Sequence, residues 1–214
     1  MQHKTFFLII FICFLVITWA FSPGSKAQAS QTPSVKAEEP ESSFQKADEF
    51  FLKKDLKAAA AEIKKGAEFL KKKTKEASKD GKEGLKASVQ ELEKLAKDVE
   101  KGTVTSEKKL KDTFARSYQA LANHHYLKAS EFWAKKKTKE TGEALTAAAQ
   151  YLEQTARWSG SKLETSTAEV VNYVRTVGGK LIKGTGYGAE EVGKGIKEIG
   201  NELSKLGKKT EPQK

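Results

Sequence analysis

The chain predicts an all-α fold: two related helical hairpins in a helical bundle or short repeat, followed by a C-terminal Gly-rich amphipathic helix. Three observations carry this. All four prolines, Pro23, Pro33, Pro40 and Pro212, lie outside residues 41–211, so nothing in that interval removes a helical donor. The interval is rich in Ala, Lys, Glu and Leu, which favour helices. Its apolar residues recur at three- and four-residue steps.

Residues 6–21 read FFLIIFICFLVITWAF behind Lys4, and a polar stretch leads into Ala27-Gln28-Ala29. A short basic region, an apolar run and small residues three and one before a break form the layout of a secretory signal peptide. Sixteen helical residues reach about 24 Å, short of a hydrocarbon core of about 30 Å. Cleavage is therefore expected after Ala29, with Ser30 the first mature residue. Residues 30–41, with Pro33 and Pro40 and little hydrophobicity, read as a flexible linker.

Removing residues 1–29 takes away Lys4 and Lys26 and no acid, so the formal charge falls from +11 to +9. The one cysteine, Cys13, goes with them, which leaves no disulfide, no thiolate metal ligand and no thiol nucleophile. The basic excess is almost all lysine; only Arg116, Arg157 and Arg175 are arginine. Readers of base edges favour the planar arginine fork, so sequence-specific nucleic-acid binding is not expected. Lysine interleaved with glutamate is a solvated helix face that attracts anionic surfaces weakly.

Within residues 42–160, a helical repeat domain, helices are predicted at about 43–53, 55–78, 82–101, 106–136 and 142–158. Ser42 and Gln45 fit a capping box for the first, Asp80-Gly81 and Gly102 punctuate the next two, and Thr105 and Thr141 suit N-caps. Leu85, Val89, Leu92, Leu95 and Val99 make one apolar stripe. Leu110, Phe114, Tyr118, Leu121, His125, Ala129 and Phe132 make a second, wider one, which places that helix centrally.

Phe44–Lys54 (FQKADEFFLKK) aligns without gaps to Tyr126–Lys136 (YLKASEFWAKK), with six identities and aromatics kept at 44/126 and 51/133. Allowing seven extra residues, 137–143, in the second copy, the alanine triplet 58–60 matches 147–149, and Ile63, Ala67 and Phe69 match Leu152, Ala156 and Trp158. Each copy then reads as an aromatic helix, a Lys-rich turn and an Ala-rich helix. On Ala47, Phe50, Ala59, Ile63 and Gly66 the first copy resembles a tetratricopeptide hairpin. That resemblance implies a helical hairpin; it covers one repeat only and does not extend to peptide binding.

Residues 161–207 change character. Gly160 ends a helix and Ser161–Glu164 offers a second capping box. Leu163, Thr167, Val170, Val174, Val177 and Leu181 run at 4-3 spacing, and the stripe resumes as Ala189, Val192, Ile196, Ile199, Leu203 and Leu206. Beside it, Gly179, Gly186, Gly193, Gly200 and Gly207 keep a seven-residue period, a helix-contact notch on one edge of an apolar seam. The glycines between 178 and 207 cost the helix roughly 7–9 kcal/mol of propensity against alanine. Such an arm needs a surface: its own domain, a second copy or a membrane interface. Residues 208–214 read as a disordered tail.

Catalytic chemistry is not indicated. His124 and His125 are adjacent, so on a helix they point about 100° apart and cannot both ligate one metal. His125 falls on the apolar stripe, where a buried, hydrogen-bonded histidine is the ordinary role. Gly184-x-Gly186-x-Gly188 lacks the strand that a phosphate loop requires. No catalytic residue, cofactor or metal is therefore assigned. The sequence points to an exported, non-catalytic binding or scaffolding module of the cell envelope, most simply a periplasm. Its expected partner is a protein or a second copy, met through the C-terminal helix. The other reading is a peripheral binder of anionic membrane or envelope polymer, through the Lys-rich surface and the arm.

Overall fold

The computed structural model describes residues 40–160 and 164–210, which belong to one compact unit. The expected signal peptide with its Ala27, Ala29 and Ser30 cleavage site, and the linker up to residue 39, lie outside the described residues. So do Ser161–Leu163 of the second capping box and the tail from 211 onward.

The described residues are all-α. Seven helices follow in order: α1 (Glu41–Leu52), α2 (Leu56–Glu76), α3 (Lys79–Glu100), α4 (Glu107–Ala134), α5 (Thr138–Trp158), α6 (Thr165–Lys183) and α7 (Ala189–Thr210). Each packs on the next, and α7 returns to lie against α4, α6 and the edge of α5. The long α4 is thus contacted by α1, α3, α5 and α7, as its wide apolar surface requires. Leu110, Phe114, Tyr118 and Leu121 of α4 are all buried at its centre.

Aromatic packing fixes the first helix. Phe44 of α1 stacks on Phe114 of α4 with centroids 4.1 Å apart, and Trp158 meets the Phe114 ring edge-on at 5.1 Å. Gly66 of α2 admits the Phe44 ring, which a methyl there would overlap.

The α1–α2 and α4–α5 turns are built alike. Lys54 and Lys136 adopt positive φ, 63° and 56°. Asp55 N–H donates to the Phe50 carbonyl at 2.9 Å and Lys137 N–H to that of Phe132 at 2.9 Å, while Lys54 and Lys136 N–H reach Phe51 and Trp133 at 3.0 Å each. These are Schellman closures, which satisfy the last carbonyls of each helix. The second helix then starts at once in both hairpins. The expected seven-residue insertion, 137–143, is not a loop: Lys137 stands at the N-cap and α5 begins at Thr138. Seven residues make about two helical turns, so burial agrees in both registers: Ile63 matches buried Leu145 without a gap and buried Leu152 with it, each 0% exposed.

Several caps differ from expectation. The helix α1 starts at Glu41 behind Pro40, and no side chain caps it; Gln45 instead donates to Glu41 Oε1 at 2.5 Å. Ser78 caps α3 by accepting from Gly81 N–H at 3.4 Å, so Asp80 and Gly81 lie inside the helix rather than before it. The N-cap of α4 is Ser106, not Thr105, and makes no side-chain bond. Thr141 is buried within α5 and bonds the Lys137 carbonyl at 2.7 Å.

The C-terminal arm is two helices rather than one. Gly184 ends α6 in the left-handed region with φ 71°, and Gly186 repeats that conformation at φ 70°, so the chain reverses between Gly184 and Gly188. Helix α7 then runs to Thr210, into the expected tail.

Candidate functional site

The glycines of the expected notch are dispersed by this reversal. Gly179 sits on α6 and Gly186 in the turn. Gly193 faces open space, with no atom within 4 Å of a methyl placed there. Gly200 and Gly207 do face another helix: a methyl on Gly200 would lie 3.0 Å from the Tyr126 ring, and one on Gly207 2.7 Å from Gln119 Nε2, both on α4. Val192, Ile199, Leu203 and Leu206 are buried beside them. The apolar stripe of α7 is therefore spent on its own chain.

A tighter glycine contact lies elsewhere. A methyl on Gly142 of α5 would stand 2.5 Å from the Gly178 carbonyl oxygen of α6, and one on Gly178 would overlap Thr146 Oγ1. The two backbones approach because neither residue has a side chain. Gly142 carried no signal in sequence, since it fell in the supposed insertion.

Two polar groups tie helices of the body together, one half-buried and one buried. Glu41 accepts from Tyr118 Oη at 2.6 Å, from Arg157 at 2.9 Å and from Trp158 Nε1 at 3.4 Å, which joins α1 to α4 and α5. Burial, with the Glu41 carboxylate beside it, pushes the Tyr118 hydroxyl far above its ordinary range. The second group is the histidine pair. His124, not His125, is the fully buried member, and neither of its ring nitrogens has a hydrogen-bond partner. It abuts Gly81 in the first turn of α3, 3.5 Å from where a methyl would stand. Burial holds the His124 ring down to about 4 and, with His124 adjacent, the His125 ring down to about 3. Both are neutral at pH 7 and unsuited to proton transfer there. Among the described residues no group of three His, Cys, Asp or Glu is placed to hold a metal ion.

The surface feature with most chemical content lies where the α4–α5 and α6–α7 turns meet. Trp133, Ala134, Lys136, Thr138 and Tyr187 line an open cleft of about 410 Å³. Trp133 and Tyr187 are half-buried, and neither the indole N–H nor the Tyr187 hydroxyl makes a hydrogen bond within the described residues. Residues 133–139 and 183–188 together hold Lys135, Lys136, Lys137, Lys139 and Lys183 and no acidic residue. At the matching α1–α2 turn the equivalent aromatic, Phe51, is 4% exposed, and Leu56 lies against Gly102 of the α3–α4 link. One of two like-built turns is closed; the other presents a larger aromatic to solvent.

A second cleft, of about 490 Å³, is lined by Gln45, Asp48, Glu49, Lys111, Arg157, Trp158 and Gly160. Lys111 lies 3.7 Å from Asp48, and burial raises the Asp48 carboxyl above its ordinary range. No protein-family model, no curated protein and no solved structure matches the chain.

Proposed function

We propose that the chain is an exported, non-catalytic helical binding module of the cell envelope, and that its contact surface is the tip made by the α4–α5 and α6–α7 turns. One observation carries the reading. That tip combines two partly exposed amphipathic aromatics, whose polar edges make no hydrogen bond within the described residues, with five lysines and no acid. Contiguous exposed aromatic and charged surface on a satisfied core is characteristic of interaction sites. The signal-peptide layout of residues 1–29 supports export. The two hairpins are, in this reading, copies of one unit; their shared turn geometry and burial register support that, and the open second turn is where the copies diverge.

The arm serves this module from within. Self-association through α7 is disfavoured because its apolar side chains already pack on α4 and α6. The test is partition of the chain from Ser30 onward with an isolated envelope fraction. Trp133→Ala with Lys136→Glu is expected to lower the bound share about tenfold while thermal melting stays within a few degrees. Equal binding by both proteins would remove the tip from the function.

A further inference from the structure

We propose that the partner of this tip is an anionic lipid bilayer, touched peripherally; the inference rests on the reading of the tip as the contact surface. Among the described residues no helix is long and apolar enough to cross a membrane, so the contact would be at the interface. Trp and Tyr settle at the headgroup level, with the ring body among acyl ends and the polar edge in water. Trp133 and Tyr187 meet that requirement, partly exposed at the cleft and with unbonded polar edges.

Charge supplies the second half. Lys137 is 4.0 Å from Glu140 and Lys139 3.9 Å from Glu143, both loose exposed pairs. Lys135, Lys136 and Lys183 make no ion pair within the described residues. A cluster of lysines without intervening acids is what the negative potential of an anionic leaflet attracts. The two turns meet at the cleft, where Lys136 lies with Trp133 and Tyr187, and Lys135, Lys137, Lys139 and Lys183 flank these residues in sequence.

A saccharide polymer fits the cleft less well. Holding sugar hydroxyls takes several converging donors and acceptors. The lining supplies two hydroxyls, Thr138 and Tyr187, the Trp133 indole N–H and one ammonium, Lys136, but no carboxylate or carboxamide to accept from a sugar.

The experiment uses the chain from Ser30 onward with Trp158→Phe, which leaves Trp133 as its one tryptophan. Vesicles of phosphatidylglycerol and phosphatidylcholine are compared with phosphatidylcholine alone. The expected result is co-sedimentation with the anionic vesicles, a blue shift of Trp133 emission, and quenching by lipids brominated near the headgroup. Raising salt from about 0.1 M to about 0.5 M should weaken binding at least about tenfold, because the Debye length contracts. Lys135→Glu with Lys136→Glu should lower it by about tenfold or more without changing the circular dichroism spectrum. Two results overturn the proposal. One is vesicle binding that ignores those substitutions. The other is absence of vesicle binding although the Trp133→Ala, Lys136→Glu protein still loses its hold on the envelope fraction. The second leaves the binding-module reading intact and assigns the tip to a protein or polymer.

Discussion

Gly142 and Gly178 show how one missing side chain can outweigh helix propensity. Alanine in an exposed helix interior gains about 1 kcal/mol over glycine. At Gly193 and Gly84, where a methyl meets nothing within 4 Å, alanine should therefore raise stability by about that amount. At Gly178 the same change drives a methyl into Thr146 and to 2.9 Å from the Gly142 carbonyl oxygen, so the helices must part. Overpacking of that kind costs roughly 1–3 kcal/mol, and Gly178→Ala should be destabilising on balance. Denaturant melts of the three variants decide the point; a gain at Gly178 would mean that α5 and α6 do not touch there. Glu41 offers a second test of the same scale. Tyr118→Phe removes a hydrogen bond to a carboxylate, worth about 1.5–3 kcal/mol, yet keeps the ring that packs edge-on against Phe44 at 5.5 Å. A melt unchanged by that substitution would contradict the clamp.

Among the elements, α4 carries the pH dependence. His124 is neutral when folded, with its ring held down to about 4 from 6.5, so the unfolded chain binds more protons between those values. Stability therefore rises with pH across that window, is complete above about 6.5, and falls as pH drops toward 4. The swing is on the order of 2–3 kcal/mol for His124. Lys73 and Glu76 of α2, Lys128 of α4 and Tyr151 of α5 lie beside the pair. His125, held lower still, acts in the same window, so His124→Leu should flatten about half of the slope between pH 4.5 and 6.5 in urea melts; an unaltered slope would assign it to other groups. The hairpin anchors also separate. Phe51→Ala should cost about 3–5 kcal/mol, since that ring is 4% exposed. Trp133→Ala should cost less than that, because its side chain is only partly buried and lines the cleft.

These elements also mark what was legible in sequence. The stripe Leu85, Val89, Leu92, Leu95, Val99 located α3 because one face meets water and the period shows. The shared FQKADEFF and YLKASEFW segments fall on α1 and α4, whose C-terminal turns are built alike. The register of α5 was not legible. Alanine recurs so often there that several alignments score alike, and only the turn hydrogen bonds choose between them. His124 was passed over for His125 because a one-residue shift rotates a helix by only about 100°, and α4 is covered on several sides. The tip was illegible for a different reason: Trp133 and Tyr187 are 54 positions apart, and nothing local signals that two turns adjoin.

At the scale of the whole molecule, the central claim is that α7 belongs to the folded body and the two-turn tip is what meets a partner. Glycine-rich α7 has poor intrinsic propensity, so its order depends on Val192, Ile199, Leu203 and Leu206 packing in cis. Ile199→Ala should accordingly cost about 2–5 kcal/mol and loosen the whole arm. Hydrogen exchange on the chain from Ser30 onward, alone at two concentrations and with phosphatidylglycerol vesicles, tests both halves together. The account predicts that residues 189–207 are protected without vesicles and independently of concentration. Adding vesicles should then slow exchange at 133–139 and 183–188 and nowhere along the middle of α7. The contradicting result is an α7 that exchanges freely in solution and becomes protected only on the vesicles, which would make the arm, and not the tip, the element that binds.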